Sequence, residues 1–141
     1  MNTRINGNGS NSIIRIEELT KIYDLGEVKV PALAGVSIDI KEGSYVAIMG
    51  PSGSGKSTFL HLAGALDLPS SGVVLTKDTD TSAMSDTERT LLRRRRLGFI
   101  FQFFNLIPTL TVHENVGLPL LLDGDKISSV REKVSGLLER V

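Results

Sequence analysis

The chain has 141 residues, enough for one modest domain around a single core, and its sixteen basic and sixteen acidic residues cancel. That balance excludes a wholesale electrostatic attraction to nucleic acid or to an anionic membrane, so any such binding must be local. The absence of Cys excludes disulfides and thiolate metal sites, and His61 and His113 are too few for a metal cluster.

The opening segment, MNTRINGNGSNS at residues 1–12, is polar and rich in Gly, Asn and Ser, and it reads as a disordered tail without the apolar stretch of a signal sequence. SIIRIEEL and VSIDI alternate apolar and polar residues, the period of half-buried strands, and YDLGEVKVPAL between them carries Gly26 and Pro31, which suits a turn. SYVAIMG, residues 44–50, lacks that alternation and predicts a strand buried on both faces, as in a parallel sheet. A bend of Gly, Ser and Pro follows. GKSTFLHLAGAL then predicts a helix with Phe59, Leu62, Ala63 and Leu66 on one face.

SGVVLT predicts a short strand and KDTDTSAM a loop. Ser85 and Glu88 have the spacing of a capping box, in which hydroxyl and carboxylate satisfy orphan backbone donors, so a helix is expected over about 86–95. LGFIFQ, residues 97–102, is again strand-like before Pro108 interrupts the chain. Thr111 with Glu114 and Ser129 with Glu132 repeat the capping-box pattern, the second opening a helix with Val130, Val134, Leu137, Leu138 and Val141 on one stripe. That stripe is still running at Val141 with no Gly, Asn or Pro to close it, so the sequence reads as cut off rather than finished. The longest apolar run, VGLPLLL, falls far short of the roughly twenty residues of a membrane span. If the protein works at a membrane, another polypeptide must cross it.

Gly50-Pro51-Ser52-Gly53-Ser54-Gly55-Lys56-Ser57 fits G-x-x-x-x-G-K-[ST] at every fixed position, and Thr58 follows. Glycines permit positive φ and leave no Cβ in the way, so successive backbone amides can wrap a phosphate chain. The positive end of the helix beginning near Lys56 favours the same charge. Lys56 supplies a point charge toward the outer phosphates, and Ser57 can offer its hydroxyl to Mg²⁺. An accidental Gly/Ser turn is the rival reading, and the strand before the motif and the helix after it count against that.

The flanks carry more information: LTKIYDLGEVKVPALAGVSIDIKEGSYVAIMGPSGSGKSTFLHLAGALDLPSSGVV and LRRRRLGFIFQFFNLIPTLTVHENV closely resemble the nucleotide-binding subunits of ABC transporters, nearest to the lipoprotein-releasing and macrolide-exporting ATPases. The resemblance runs from Ile13 to Val141. It implies an α/β P-loop NTPase fold, a RecA-like core with an N-terminal antiparallel β-subdomain, here truncated before the signature helix and the second half of the sheet. Residues 13–141 would form a partial ATP-binding domain with ATP and Mg²⁺ as cofactors.

By the same resemblance Tyr23 stacks on adenine, although a Tyr packing at a strand end is the plainer reading of the residue alone. Gln102 matches the family's Q-loop glutamine, a catalytic and Mg²⁺-site residue whose movement links nucleotide state to the membrane partner. FFNLIPTLTVHENV matches the segment that lies against the permease, while its apolar residues are equally compatible with core. His61 and His113 read as ordinary helix residues. Arg93 to Arg96 invite a nucleic-acid reading, but a basic helix end complements the helix dipole and basic residues are common at this point in the resembled family, so no nucleic acid is expected.

Within these 141 residues there is no L-S-G-G-Q-like signature, since VSGLL has only its Ser-Gly pair, and no apolar strand ending in Asp-Glu to orient water. The family's switch histidine is not matched either. The implied partners are a transmembrane permease and, in the complete protein, a second ATPase subunit, at the cytoplasmic face of the membrane. Two other classes stay open: a small P-loop phosphotransferase, and a regulatory module that binds nucleotide without turnover.

Overall fold

The computed structural model describes residues 11–141, and the expectation of a disordered tail falls mainly on residues outside that range. The described residues form two compact units, one ending at Leu97 and the other spanning Gly98–Val141.

In the first unit, β1 (Ser12–Asp24) and β2 (Lys29–Lys41) form a long antiparallel hairpin, and β3 (Ser71–Thr76) with the two-residue β4 (Thr79–Asp80) completes a sheet in the order β2-β1-β3-β4. The alternation in the sequence is what builds it. Ile14 faces Ile40 and Ile16 faces Ile38 across the hairpin, so one face is apolar along its length. The turn is confined to residues 25–28, where the Leu25 amide donates to the Val28 carbonyl at 2.9 Å; Pro31 lies within β2 opposite Ile22. α1 (Lys56–Ala63) lays Phe59, Leu62 and Ala63 against the sheet, closing a core with Ile16, Leu19, Leu33 and Val74. Each such aliphatic or aromatic side chain contributes about 1.5–3 kcal/mol by leaving water. Leu66, expected on the same helical face, lies beyond the end of α1 and is exposed, because the helix closes at Gly64.

α2 (Asp86–Arg96) starts where the capping box predicts. The Ser85 hydroxyl accepts from the Glu88 amide at 3.3 Å, and the Glu88 carboxylate accepts from the Ser85 amide at 2.7 Å. Its four arginines close the helix at its negative end, and Arg93 donates to the Ala65 carbonyl at 2.7 Å, fastening α2 to the connection after α1.

In the second unit, α3 (Val112–Leu122) carries the Thr111–Glu114 capping box as expected. The hydrogen bonds from Ser85 and from Thr111 hold the carboxyls of Glu88 and Glu114 below the ordinary glutamate range. α4 (Ile127–Leu138) packs its buried Val130 and Val134 against α3. The approach is close at Gly117, where an added Cβ would sit 2.7 Å from Val130 Cγ1.

The structure corrects three expectations. The capping box at Ser129–Glu132 does not form, because α4 begins earlier, at Ile127 after Lys126, and Ser129 is already inside the helix. On the stripe it was to open, Leu137 and Val141 are exposed. Most consequentially, neither 44–50 nor 97–102 is a strand: each needs a neighbour to take its amides and carbonyls, and neither pairs with a strand among the described residues.

Those two segments leave large apolar side chains in water. Tyr45 is 96% exposed, Met49 89% and Ile100 104%. Open backbone donors and acceptors beside exposed apolar groups are a template for pairing with other chains. The 141-residue chain is therefore expected to self-associate with rising concentration, as read by light scattering or sedimentation. A monodisperse monomer with a sharp cooperative melt would contradict this.

Candidate functional site

The Gly-rich bend sits at the N-terminus of α1, and the geometry explains its composition. Gly53 has φ +80° and Gly55, the residue that caps the helix, has φ +87°, both in the left-handed region. At Gly55 a second constraint applies. β2 carries a register shift around Ala32, between the Lys21–Leu33 and Ile22–Pro31 pairs, and an added Cβ on Gly55 would lie 2.5 Å from the Ala32 carbonyl oxygen. The bend and the hairpin therefore meet in direct backbone contact.

α1 has neither a side-chain cap nor an acidic residue in its first turn, whereas Ser85 and Thr111 cap α2 and α3. Its leading amides thus keep their capacity to bind an anion. Lys56 folds back over the bend, its ammonium donating to the carbonyls of Gly50 at 2.8 Å and Pro51 at 2.6 Å and to Ser54 Oγ at 3.3 Å. Beside it a cavity of about 280 Å³ is lined by Val30, Pro31 and Ala32 of β2 and by Ser52, Gly53 and Gly55 to Thr58. Of the expected phosphate-binding residues, Ser52, Gly53 and Gly55 to Thr58 line it, whereas Gly50, Pro51 and Ser54 lie outside its wall and accept from the Lys56 ammonium. The Ser57 hydroxyl is an oxygen donor on the cavity wall, the class a hard divalent cation takes.

Tyr23 lies on β1 opposite Val30, so the two share a sheet face and Tyr23 is the cross-strand neighbour of the cavity wall. Its ring is half-buried, with the Lys21 ammonium 5.0 Å from the centroid. Lys21 is also paired with Asp67 at 2.8 Å and donates to the Leu68 carbonyl at 2.7 Å. The Tyr23 hydroxyl makes a long 3.4 Å hydrogen bond to the same carboxylate. Burial, the largest single influence on Asp67, opposes its ionisation; the hydrogen bonds from Lys21 and from the Leu68 amide, with the Lys21 charge, outweigh it and hold the carboxyl below the usual aspartate range. Neither Lys21 nor Asp67 was singled out in the sequence, where nothing ties a strand residue to a connector so far downstream.

Gln102 belongs to the second unit, exposed in a bend between Phe101 and Phe103, whereas Ser57 belongs to the first. In the segment after it, Phe103, Phe104, Leu106 and Ile107 are exposed rather than core. Asn115 shapes that segment: its side chain accepts from the Ile107 amide at 2.7 Å and donates to the carbonyls of Leu110 and Thr111, both at 3.0 Å. His61 and His113 are helix residues, as expected. Among the described residues no helix is long and apolar enough to cross a membrane.

Comparison with known proteins gives this geometry its context. An ATP-binding protein of an ABC transporter from Thermotoga maritima, itself uncharacterised, is 48% identical over 129 residues, 92% of this chain and 55% of that protein. The lipoprotein-releasing system ATP-binding protein LolD of Xanthomonas campestris pv. campestris is 46% identical over 130 residues, covering 92% of this chain and 54% of LolD. The chain thus spans about half the length of the curated relatives it matches. A dimeric structure of the ATP-binding cassette MJ0796 bound to ADP and Pi, a protein of Methanocaldococcus jannaschii, superposes with a TM-score of 0.82 at 43% identity, over 89% of this chain and 56% of that one. The antiparallel sheet and the helix-opening bend are thus parts of a P-loop ATPase cassette. With the ABC transporter family model matching residues 33–141, from Leu33 in β2 through the phosphate-loop motif to the last residue, this chain belongs to the ABC transporter family.

Proposed function

We propose that this chain is the Mg-ATP-binding portion of an ABC transporter ATPase subunit, which in its complete form powers export or lipoprotein release. The observation that carries the reading is the uncapped start of α1, whose amides, with Lys56, border one cavity. Gly50 to Thr58 hold the phosphates, Lys56 contacts the outer ones, and Tyr23 stacks on adenine. Mg²⁺ would neutralise phosphate charge, and Ser57, on the phosphate-binding bend, is the residue of this unit that would hold it. The family resemblance gives Gln102 a role toward the attacking water in the complete enzyme. The partners are a transmembrane permease and a second ATPase subunit, at the cytoplasmic face of the membrane.

A base stacked on an aromatic ring is worth roughly 1–3 kcal/mol. Tyr23→Ala is therefore expected to weaken Mg-ATP binding about 5- to 150-fold, measured by titration calorimetry, while binding of inorganic tripolyphosphate stays as it was. Equal affinity of the variant and the parent for Mg-ATP would remove Tyr23 from the site. Co-purification with a permease subunit tests the membrane partner separately.

A further inference from the structure

We propose that Lys21 and Asp67 are positioning residues for nucleotide binding, which clamp the ring of Tyr23 so that the face away from the Lys21 ammonium is the one presented to a purine base. The proposal rests on the reading of Tyr23 as the base-stacking residue.

The geometry that carries it is unusual for a lysine at a strand end. Its side chain is only 13% exposed, although a four-carbon stem lets most surface lysines keep the ammonium in water. Burying an ammonium costs free energy unless it is paired and hydrogen-bonded, and here both conditions are met, by the Asp67 carboxylate at 2.8 Å and the Leu68 carbonyl at 2.7 Å. Held from two sides, the ammonium stands 5.0 Å from the Tyr23 centroid, within the range at which a cation is attracted to a ring face. Asp67 is fixed in turn, because its other oxygen accepts from the Leu68 amide at 2.7 Å, and the oxygen that takes Lys21 also takes the Tyr23 hydroxyl. One carboxylate thus holds the cation over the ring, and the Tyr23 hydroxyl lies 3.4 Å from the same oxygen.

A ring has two faces. With an ammonium on one, a base can use only the other, and a ring already fixed loses less conformational freedom when the base arrives. A purely structural role, tying the hairpin to the connector before β3, is already served beside it. The Ile22 amide donates to Ser70 Oγ at 2.9 Å, and the Thr20 and Ser71 hydroxyls meet at 2.6 Å.

The test compares Mg-ATP with inorganic tripolyphosphate, which has the charges but no base, in the 141-residue chain at low protein concentration. Lys21→Met and Asp67→Asn are each expected to weaken Mg-ATP about five- to tenfold and to leave tripolyphosphate within about twofold; Lys21→Arg, whose guanidinium reaches a carboxylate and stacks on a ring, restores most of the loss. Asp67→Asn is the sharper arm. It removes a negative charge, which on electrostatics alone would tighten both anions, so a loss confined to ATP speaks for positioning. Tripolyphosphate binding also reports that each variant is folded. Parental ATP affinity in both variants, or equal losses for the two ligands, overturns the clamp while leaving the phosphate loop intact. A parent chain that binds neither ligand overturns the nucleotide reading and the clamp together.

Discussion

Replacing Lys56 with Ala is expected to weaken Mg-ATP binding about ten- to a hundredfold, the worth of one charge-assisted hydrogen-bonding group of about 1.5–3 kcal/mol. The ammonium is tethered to the carbonyls of Gly50 and Pro51, on the loop whose other residues border the cavity. Binding exchanges those neutral acceptors for phosphate oxygens, which are stronger partners for a cation. The loss is partial because the amides at the start of α1 remain. The fold is expected to tolerate the change, since Gly50 and Pro51 are exposed and water can take over their carbonyls. Lys56→Arg is not a rescue here: a planar fork does not fit a bend shaped around a compact ammonium. Titration calorimetry of parent and variant decides it, and an unchanged affinity would mean that the bend holds something other than a triphosphate.

The Gly-rich bend and the helix it opens were legible because their requirements are local. Eight consecutive residues carry every conformational and charge requirement, so the motif predicts both the bend and the helix it opens. The capping boxes at Ser85 and Thr111 were legible for the same reason, and their failure at Ser129 is instructive. The spacing is present there, but α4 begins a turn earlier and packs Val130 and Val134 against α3, with Gly117 giving room. Packing thereby outweighs the cap. The strands expected at 44–50 and 97–102 show a different limit. A hydrophobic run specifies which side chains seek burial, but a strand exists only with a neighbour to bond to, and neither run has one among the described residues. The role proposed for Tyr23 comes only from the resemblance, and those proposed for Lys21 and Asp67 come only from the fold, which brings β1 against the connector before β3.

Gly55→Ala is expected to damage both the fold and the site, and the reason lies in two constraints that coincide. At φ +87° an added Cβ costs about 1–2 kcal/mol in backbone strain alone. The same methyl would lie 2.5 Å from the Ala32 carbonyl oxygen and 3.0 Å from Leu33 Cδ2, and the first of these is backbone that cannot swing aside. Relief requires the hairpin to retreat from the bend, and that opens the core where Leu33 meets Phe59. A destabilisation of about 2–4 kcal/mol follows, which predicts roughly 30- to 1,000-fold faster hydrogen exchange at the protected amides of α1, together with loss of Mg-ATP binding. Gly53→Ala is the control. It has φ +80° but open space around its added Cβ, so it pays the strain without the collision. Comparable exchange in the two variants would show that backbone strain alone sets the cost, and that the contact between the bend and Ala32 does not hold the hairpin in place.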